Sequence, residues 1–134
     1  MASEHLEKYV MLNLYRVAFE KIVHETKLKD LWFEKRLLVL RNVLTADHLD
    51  VNKSCRSKMT LSLATDELEK VNSYRAPADK AQCIVRCCSF LFNQLSVSRN
   101  DSNGRPGADD FLPVFIYVVS LKCIYILLLK GIDR

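Results

Sequence analysis

Glycine and proline are scarce in this chain, three of each in 134 residues. With so few glycines there is no phosphate-cradling Gly-rich loop, and "GRPG" (residues 104–107) lies in a polar stretch, so the chain is not itself a nucleotide hydrolase. Paired zinc ligands are also missing. The five cysteines are Cys55, Cys83, Cys87, Cys88 and Cys123, spaced C-x-x-x-C-C where they crowd, and His5, His24 and His48 are far from them in sequence. An odd, crowded set fits neither a disulfide framework nor a zinc site, so no metal and no cofactor is expected. The cysteines read instead as small buried hydrophobes in a reducing compartment. None has the local surroundings of a catalytic nucleophile. Twenty bases against sixteen acids give a net charge of +4 without a basic stripe or a reader motif, which argues against nucleic-acid binding. The small excess of bases leaves peripheral association with an anionic membrane open. The start, "MASEHLEKYV", has no basic region followed by an apolar core, so a cytoplasmic protein is expected.

What is present is an ordinary globular composition, 49% hydrophobic and 27% charged, at the length of one small domain. Glu4 to about Glu25 reads as a helix, with Leu6, Val10, Leu14 and Val17 on one stripe and Tyr9, Phe19, Ile22 and Val23 widening it. Lys27–Leu44 reads as a second helix that buries Leu31, Trp32, Leu37, Leu38 and Leu44, and "TADHLD" then supplies turn and cap residues. A third helix is expected over about 57–72, where Leu61, Leu63, Leu68 and Val71 alternate with charges. Its acids Asp66, Glu67 and Glu69 read as a solvated face balanced by Lys70. The residue before Pro77 is pushed out of the helical region, and Pro77 suits the first position of a fourth helix running to about 96. Ile84, Cys87, Cys88, Leu91 and Leu95 give it helical spacing. A loop rich in Asn, Ser, Gly and Pro follows, and then an apolar segment from Phe111. No strand alternation is visible. The expected fold is all-α, a compact layered bundle of about five helices.

Two adjacent acids open that last segment, in "GADDFLPVFIYVV". Asp110 is expected as the N-cap, its carboxylate accepting from free first-turn N–H groups. Phe111 is then the first helical residue, and Pro113 falls at the third, where a missing N–H costs nothing. Asp109 stays outside the helix with no local need for its charge, unless it only complements the helix dipole.

"NSYRAPADKAQCIVRCCSFLFNQLS" followed by a polar loop and "GADDFLPVFIYVV" resembles the vacuolar protein sorting-associated protein 9 domain, a family of exchange factors for Rab GTPases of the early-endosomal class. The upstream "LEKYVMLNLY" and "KRLLVLRNVLTADHLD" resemble the helical segments that precede this core in plant-type members. Ala78 stands where the family often has arginine. The resemblance implies an acidic finger, Asp109, that enters the nucleotide site of the GTPase without covalent chemistry. It also implies that Asp110, Leu112, Pro113 and Tyr117 bind the GTPase, although core packing is an alternative for Pro113 and Tyr117. The implied partner is an early-endosomal Rab-type GTPase, and the implied location is cytoplasmic with recruitment to endosomal membranes.

After Val119 the family's Asn-Pro-Pro turn and later helices have no match in "SLKCIYILLLKGIDR". The implied organisation is residues 1–72 as helical segments packing on the core, 73–119 as the first part of the exchange domain, and 120–134 as a divergent apolar tail, with the C-terminal part of the family fold missing. Two alternatives stand beside exchange activity: a non-catalytic fragment that only binds the GTPase, and a small membrane-associated helical protein. The second draws on Phe111–Leu129, 19 residues with the single charge Lys122.

Overall fold

The computed structural model describes residues 2–98 and 106–128, and four α-helices carry most of them. The first, α1, runs unbroken from Ala2 to Val43, 42 residues. At 1.5 Å per residue that is about 63 Å. The two helices expected before residue 45 are therefore one. The reason lies at their supposed junction, where neither glycine nor proline intervenes. There Thr26 Oγ1 has acceptors within its own helix for its one proton, the Ile22 carbonyl at 3.0 Å and the Asp30 carboxylate at 2.8 Å.

The expected buried face of α1 is also reversed. Of the expected set, Leu6, Tyr9, Val10, Leu14, Val17, Ile22 and Val23 are exposed and only Phe19 is half-buried, beside Met11 and Tyr15, which were not expected there. Docking of α1 decides this: Lys8 pairs with Asp79 at 2.8 Å, and the Lys80 ammonium sits 5.9 Å from the Tyr15 ring centre. Farther along, Leu31, Trp32 and Leu38 are exposed, and of the expected set only Leu37 and Leu44 are half-buried.

The segment after α1 does more than turn the chain. Asp50 adopts a left-handed backbone, φ 52°, which aspartate tolerates better than most residues. Val51 N–H donates to the Ala46 carbonyl at 3.0 Å, and Arg56 Nε and Nη2 donate to the Val51 carbonyl at 2.9 and 2.7 Å. Nη1 of Arg56 also reaches Asp47 at 2.6 Å. This turn and the short 3-10 helix Lys53–Arg56 place Val51 and Cys55 in the core, 2% and 0% exposed.

Helix α2 spans Lys58–Lys70 and tightens into a 3-10 turn at Val71–Ser73. Helix α3 spans Pro77–Ser98, with Pro77 at its first position as its missing N–H allows. Helix α4 spans Ala108–Leu128. Helix α2 lies against α3 and α4, and α1 lies against α3 and α4. The core combines Val51, Cys55, Ala64 and Leu68 with Cys87, Leu91, Leu95, Val114 and Val118. Gln94 ties three elements together: its Nε2 donates to the Ser54 carbonyl at 3.2 Å, and Thr60 Oγ1 donates to its Oε1 at 3.1 Å. Lys80 Nζ donates to the Val71 carbonyl at 3.1 Å, satisfying a helix-end acceptor that has no partner within α2.

Two readings of α2 and α3 change. Ile84 and Leu63 are exposed, while Cys83 joins Cys87, Leu91 and Leu95 on the buried side. Glu67 is not on a solvated face with Asp66. It is buried, accepts from Arg86 Nε at 2.7 Å, and pairs with Lys70. Those two cations hold its carboxyl below the usual value of 4.5. The sequence shows the i, i+3 partner on the same helix. The cross-helix partner appears only when α2 and α3 dock.

Candidate functional site

The start of α4 is built differently from the sequence expectation. Helical geometry begins at Ala108, two residues before the expected cap. Gly107 holds the cap position: its carbonyl accepts from Phe111 N–H at 3.1 Å. The Asp110 carboxylate reaches back to accept from Gly107 N–H at 2.9 Å. Asp110 is thus the third helical residue and forms the returning half of a capping box. Its charge also lies within the first turn, where the helix dipole favours an anion. The carboxylate supports the helix end as expected, from inside the helix.

Asp109 becomes the second helical residue. Its side chain is exposed and makes no hydrogen bond or ion pair among the described residues. Pro113 moves from the expected third position to the sixth, inside the helix. A proline there has no N–H to give the carbonyl four residues back, which is that of Asp109. The residue whose carboxylate is unengaged therefore also has a backbone carbonyl without its usual helical donor.

Leu112 is 49% exposed and stands one turn beyond Asp109. Ile116, 44% exposed, stands one turn farther. Spacings of three and four put Asp109, Leu112 and Ile116 on one stripe of α4. Ile116 was missed as a site residue in the sequence reading, although its i+4 relation to Leu112 was a usable signal. Pro113 and Tyr117 are half-buried. Tyr117 packs against the core, between buried Val114 and Val118. Of the five expected residues, then, Asp109 and Leu112 face outward, Pro113 and Tyr117 are partly covered, and Asp110 is engaged with its own backbone.

Aromatic rings brace this end of α4. Phe111 stacks on Phe92 of α3 with ring centres 4.4 Å apart, and on Phe115 at 5.4 Å. Phe92 remains 39% exposed, so apolar surface continues from α4 onto α3. The stack anchors the first two turns of α4, and hence Asp109, to a long helix. A group held on a packed helix is positioned more firmly than one on a loop.

A shallow cleft of about 170 Å³ lies between α2 and α3, lined by Thr60, Leu63, Phe90, Asn93, Gln94 and Val97. It is smaller than most small-molecule sites and holds no convergent charged groups. Among the described residues no cluster of three or more His, Cys, Asp or Glu is arranged to hold a metal ion. Burial pushes the Cys87 thiol up to about 12, which removes thiolate character at neutral pH. Burial also raises the half-buried Cys88. Among the described residues no helix is long and apolar enough to cross a membrane. What the α4 stripe can do is present one carboxylate and two apolar side chains to another macromolecule.

Comparison with known sequences places the chain in a family. The profile of the Vacuolar sorting protein 9 (VPS9) domain matches residues 61–130, just over half of the chain, and the protein belongs to that family. The match contains most of α2, and all of α3 and α4, including Asp109, and it continues past Val119. Across 118 residues the chain is 41% identical to "Vacuolar protein sorting-associated protein 9A" of Oryza sativa subsp. japonica, covering 87% of this chain and 24% of that protein. It is 38% identical over 120 residues to the protein of the same name in Arabidopsis thaliana, covering 87% of this chain and 22% of that one. The "Rab5 GDP/GTP exchange factor" of Homo sapiens is 37% identical over 120 residues, 87% of this chain and 23% of that protein. The chain thus spans about a quarter of the length of these relatives.

Proposed function

We propose that this chain promotes release of GDP from a Rab-type small GTPase, of the class acting at early endosomes, with Asp109 as the group that disturbs the nucleotide site. The observation that carries the reading is the exposed, unengaged Asp109 carboxylate at the head of the Leu112–Ile116 stripe, inside the segment matched to the VPS9 family. The similarity to a protein named for exchange on Rab5 supports the choice of partner.

Leu112 and Ile116 supply the apolar contact that docks the GTPase, with Pro113 at its edge. Asp110 and Tyr117 act beneath that surface, Asp110 by fixing the helix start and Tyr117 by anchoring α4 to the core. Docking places the Asp109 carboxylate near the phosphates. There it pairs with the cation that would otherwise hold them, and it repels the phosphate oxygens. Two unit charges 4 Å apart interact by about 4 kcal/mol at an effective dielectric of 20. Even that full value is only about a thousandfold in nucleotide affinity, enough for exchange without any covalent step. The chain would work in the cytoplasm, drawn to endosomal membranes through its membrane-bound partner.

The test is release of fluorescent GDP from an early-endosomal Rab, with the wild type and with Asp109→Ala. Acceleration by the wild type that is lost in the folded mutant is the expected result. No acceleration by a folded wild type would overturn the exchange reading. A stable complex in that case would establish the alternative of a chain that binds the GTPase without driving exchange.

A further inference from the structure

The outward face of α1 carries a pattern that packing among the described residues does not use. Val10, Leu14, Val17, Lys21, His24, Leu28, Leu31, Lys35 and Leu38 follow one another at alternating spacings of four and three. That is a heptad seam, the sequence form of a helix meant to lie along another helix. Every one of the nine positions is exposed, and Val17 and Leu28 are 74% and 78% exposed. At 3.6 residues per turn this seam lies on the far side of α1 from Met11, Tyr15 and Phe19, the residues turned toward the body. Neighbours α3 and α4, 22 and 21 residues long, reach only about half the length of α1.

We propose that the seam is a self-association surface, on which two copies of this chain pair through α1 as an antiparallel two-helix coil. The charge pattern selects both the occupant and its direction. In an antiparallel pair centred between Ile22 and Val23, Val17 meets Leu28 of the partner and Leu14 meets the partner's Leu31. Lys35 lays its aliphatic stem against the partner's Val10. Lys21 meets the partner's His24 and, by symmetry, His24 meets the partner's Lys21, a central polar layer two side-chain pairs deep, the kind that fixes register at some cost in stability. Beside that layer Glu20 faces the partner's Lys27, and by symmetry the pair occurs twice. A parallel in-register pair would instead set Lys21 on Lys21 and Lys35 on Lys35, with Glu20 beside the partner's Glu25. Like charges at each of those places disfavour it. The macrodipoles of two long helices also oppose favourably only in the antiparallel arrangement. The surface is separate from the α4 stripe and does not rest on the exchange reading.

Sedimentation equilibrium of the full chain tests it. The wild type is expected to dimerise reversibly, and Val17→Glu with Leu28→Glu is expected to raise the dissociation constant at least a hundredfold while helix content and unfolding temperature of the monomer hold. Glu20→Lys should weaken the dimer, and adding Lys27→Glu should restore it. For direction, Val17→Cys protein mixed with Leu28→Cys protein should cross-link between the two species under mild oxidation, beyond a wild-type control, and neither should do so alone. A wild type that stays monomeric at its highest soluble concentration would overturn the proposal. So would a dimer indifferent to the seam substitutions, or cross-links that form within each cysteine variant alone.

Discussion

Asp109 and Asp110 are chemically identical and adjacent, yet removing them should have opposite consequences. Asp110→Ala loses the bond from Gly107 N–H, 2.9 Å in the structure, together with a first-turn anion. Loss of a capping interaction costs about 1 kcal/mol, and the dipole contribution adds about 0.5. Alanine returns roughly 0.5 kcal/mol through its higher helix propensity. The expected net loss is about 1 kcal/mol, or roughly 3–5 °C in unfolding temperature for a domain of this size. Asp109→Ala loses only a dipole contribution of about 0.5 kcal/mol, which the same propensity gain offsets, so its midpoint should match the wild type. Asp110→Asn keeps an acceptor oxygen without the charge and should fall between the two. Thermal unfolding followed by circular dichroism reads all three, and the GDP-release assay on equal amounts of folded protein completes the comparison. Asp109→Ala should be stable and inactive. Asp110→Ala should be less stable and largely active. If Asp109→Ala were the less stable of the two, or if Asp110→Ala left the midpoint unchanged, the assignment of Gly107 and Asp110 to the helix cap would be wrong.

Leu91 is fully buried between α2, α3 and α4, and Leu91→Ala should cost about 3 kcal/mol in denaturant titration; a loss under 1 would mean that the core is not packed as described. The Glu67 carboxyl is held low in the folded chain by Arg86 and Lys70, so its stabilisation is present above the unfolded value of 4.5 and fades as pH falls through the lower folded value. The gap between wild type and Glu67→Gln, about 1 kcal/mol at neutral pH because both cations are half exposed, should therefore close in acid; a gap that persists at pH 2 would contradict this. The Cys87 thiol, raised from 9.0 to about 12, keeps its proton when folded and loses it when unfolded across that interval, so stability should decline from pH 9 toward 12. At pH 8 Cys87 should resist iodoacetamide until the chain is denatured, as peptide mapping would show.

Several features follow from sequence because they depend on neighbours along the chain. Pro77 is suited to the first position of a helix, and helix α3 begins there. The absence of glycine and proline before residue 45 makes helix the default there, which is why the all-α class is legible. The acids of "ADD", the proline after them and the family motif mark the candidate site region before any fold is known, because local capping chemistry and motif identity are both written in short spans.

Other features depend on what docks where. Helix α1 is apolar on both sides, so periodicity alone could not say which stripe faces inward. Contacts of Lys8 with Asp79 and of Lys80 with Tyr15 chose Met11, Tyr15 and Phe19 over Leu6, Val10, Leu14 and Val17. Glu67 belongs with acids in sequence and with Arg86 in space, since α2 and α3 meet 19 positions apart along the chain. Sequence by itself determined that the chain would be helical and which two acids would stand at the mouth of its apolar helix, since both depend on interactions within a few residues. Only the tertiary structure decided which face of each helix is buried and which is left outward, because those choices are set by the partner an element meets across space.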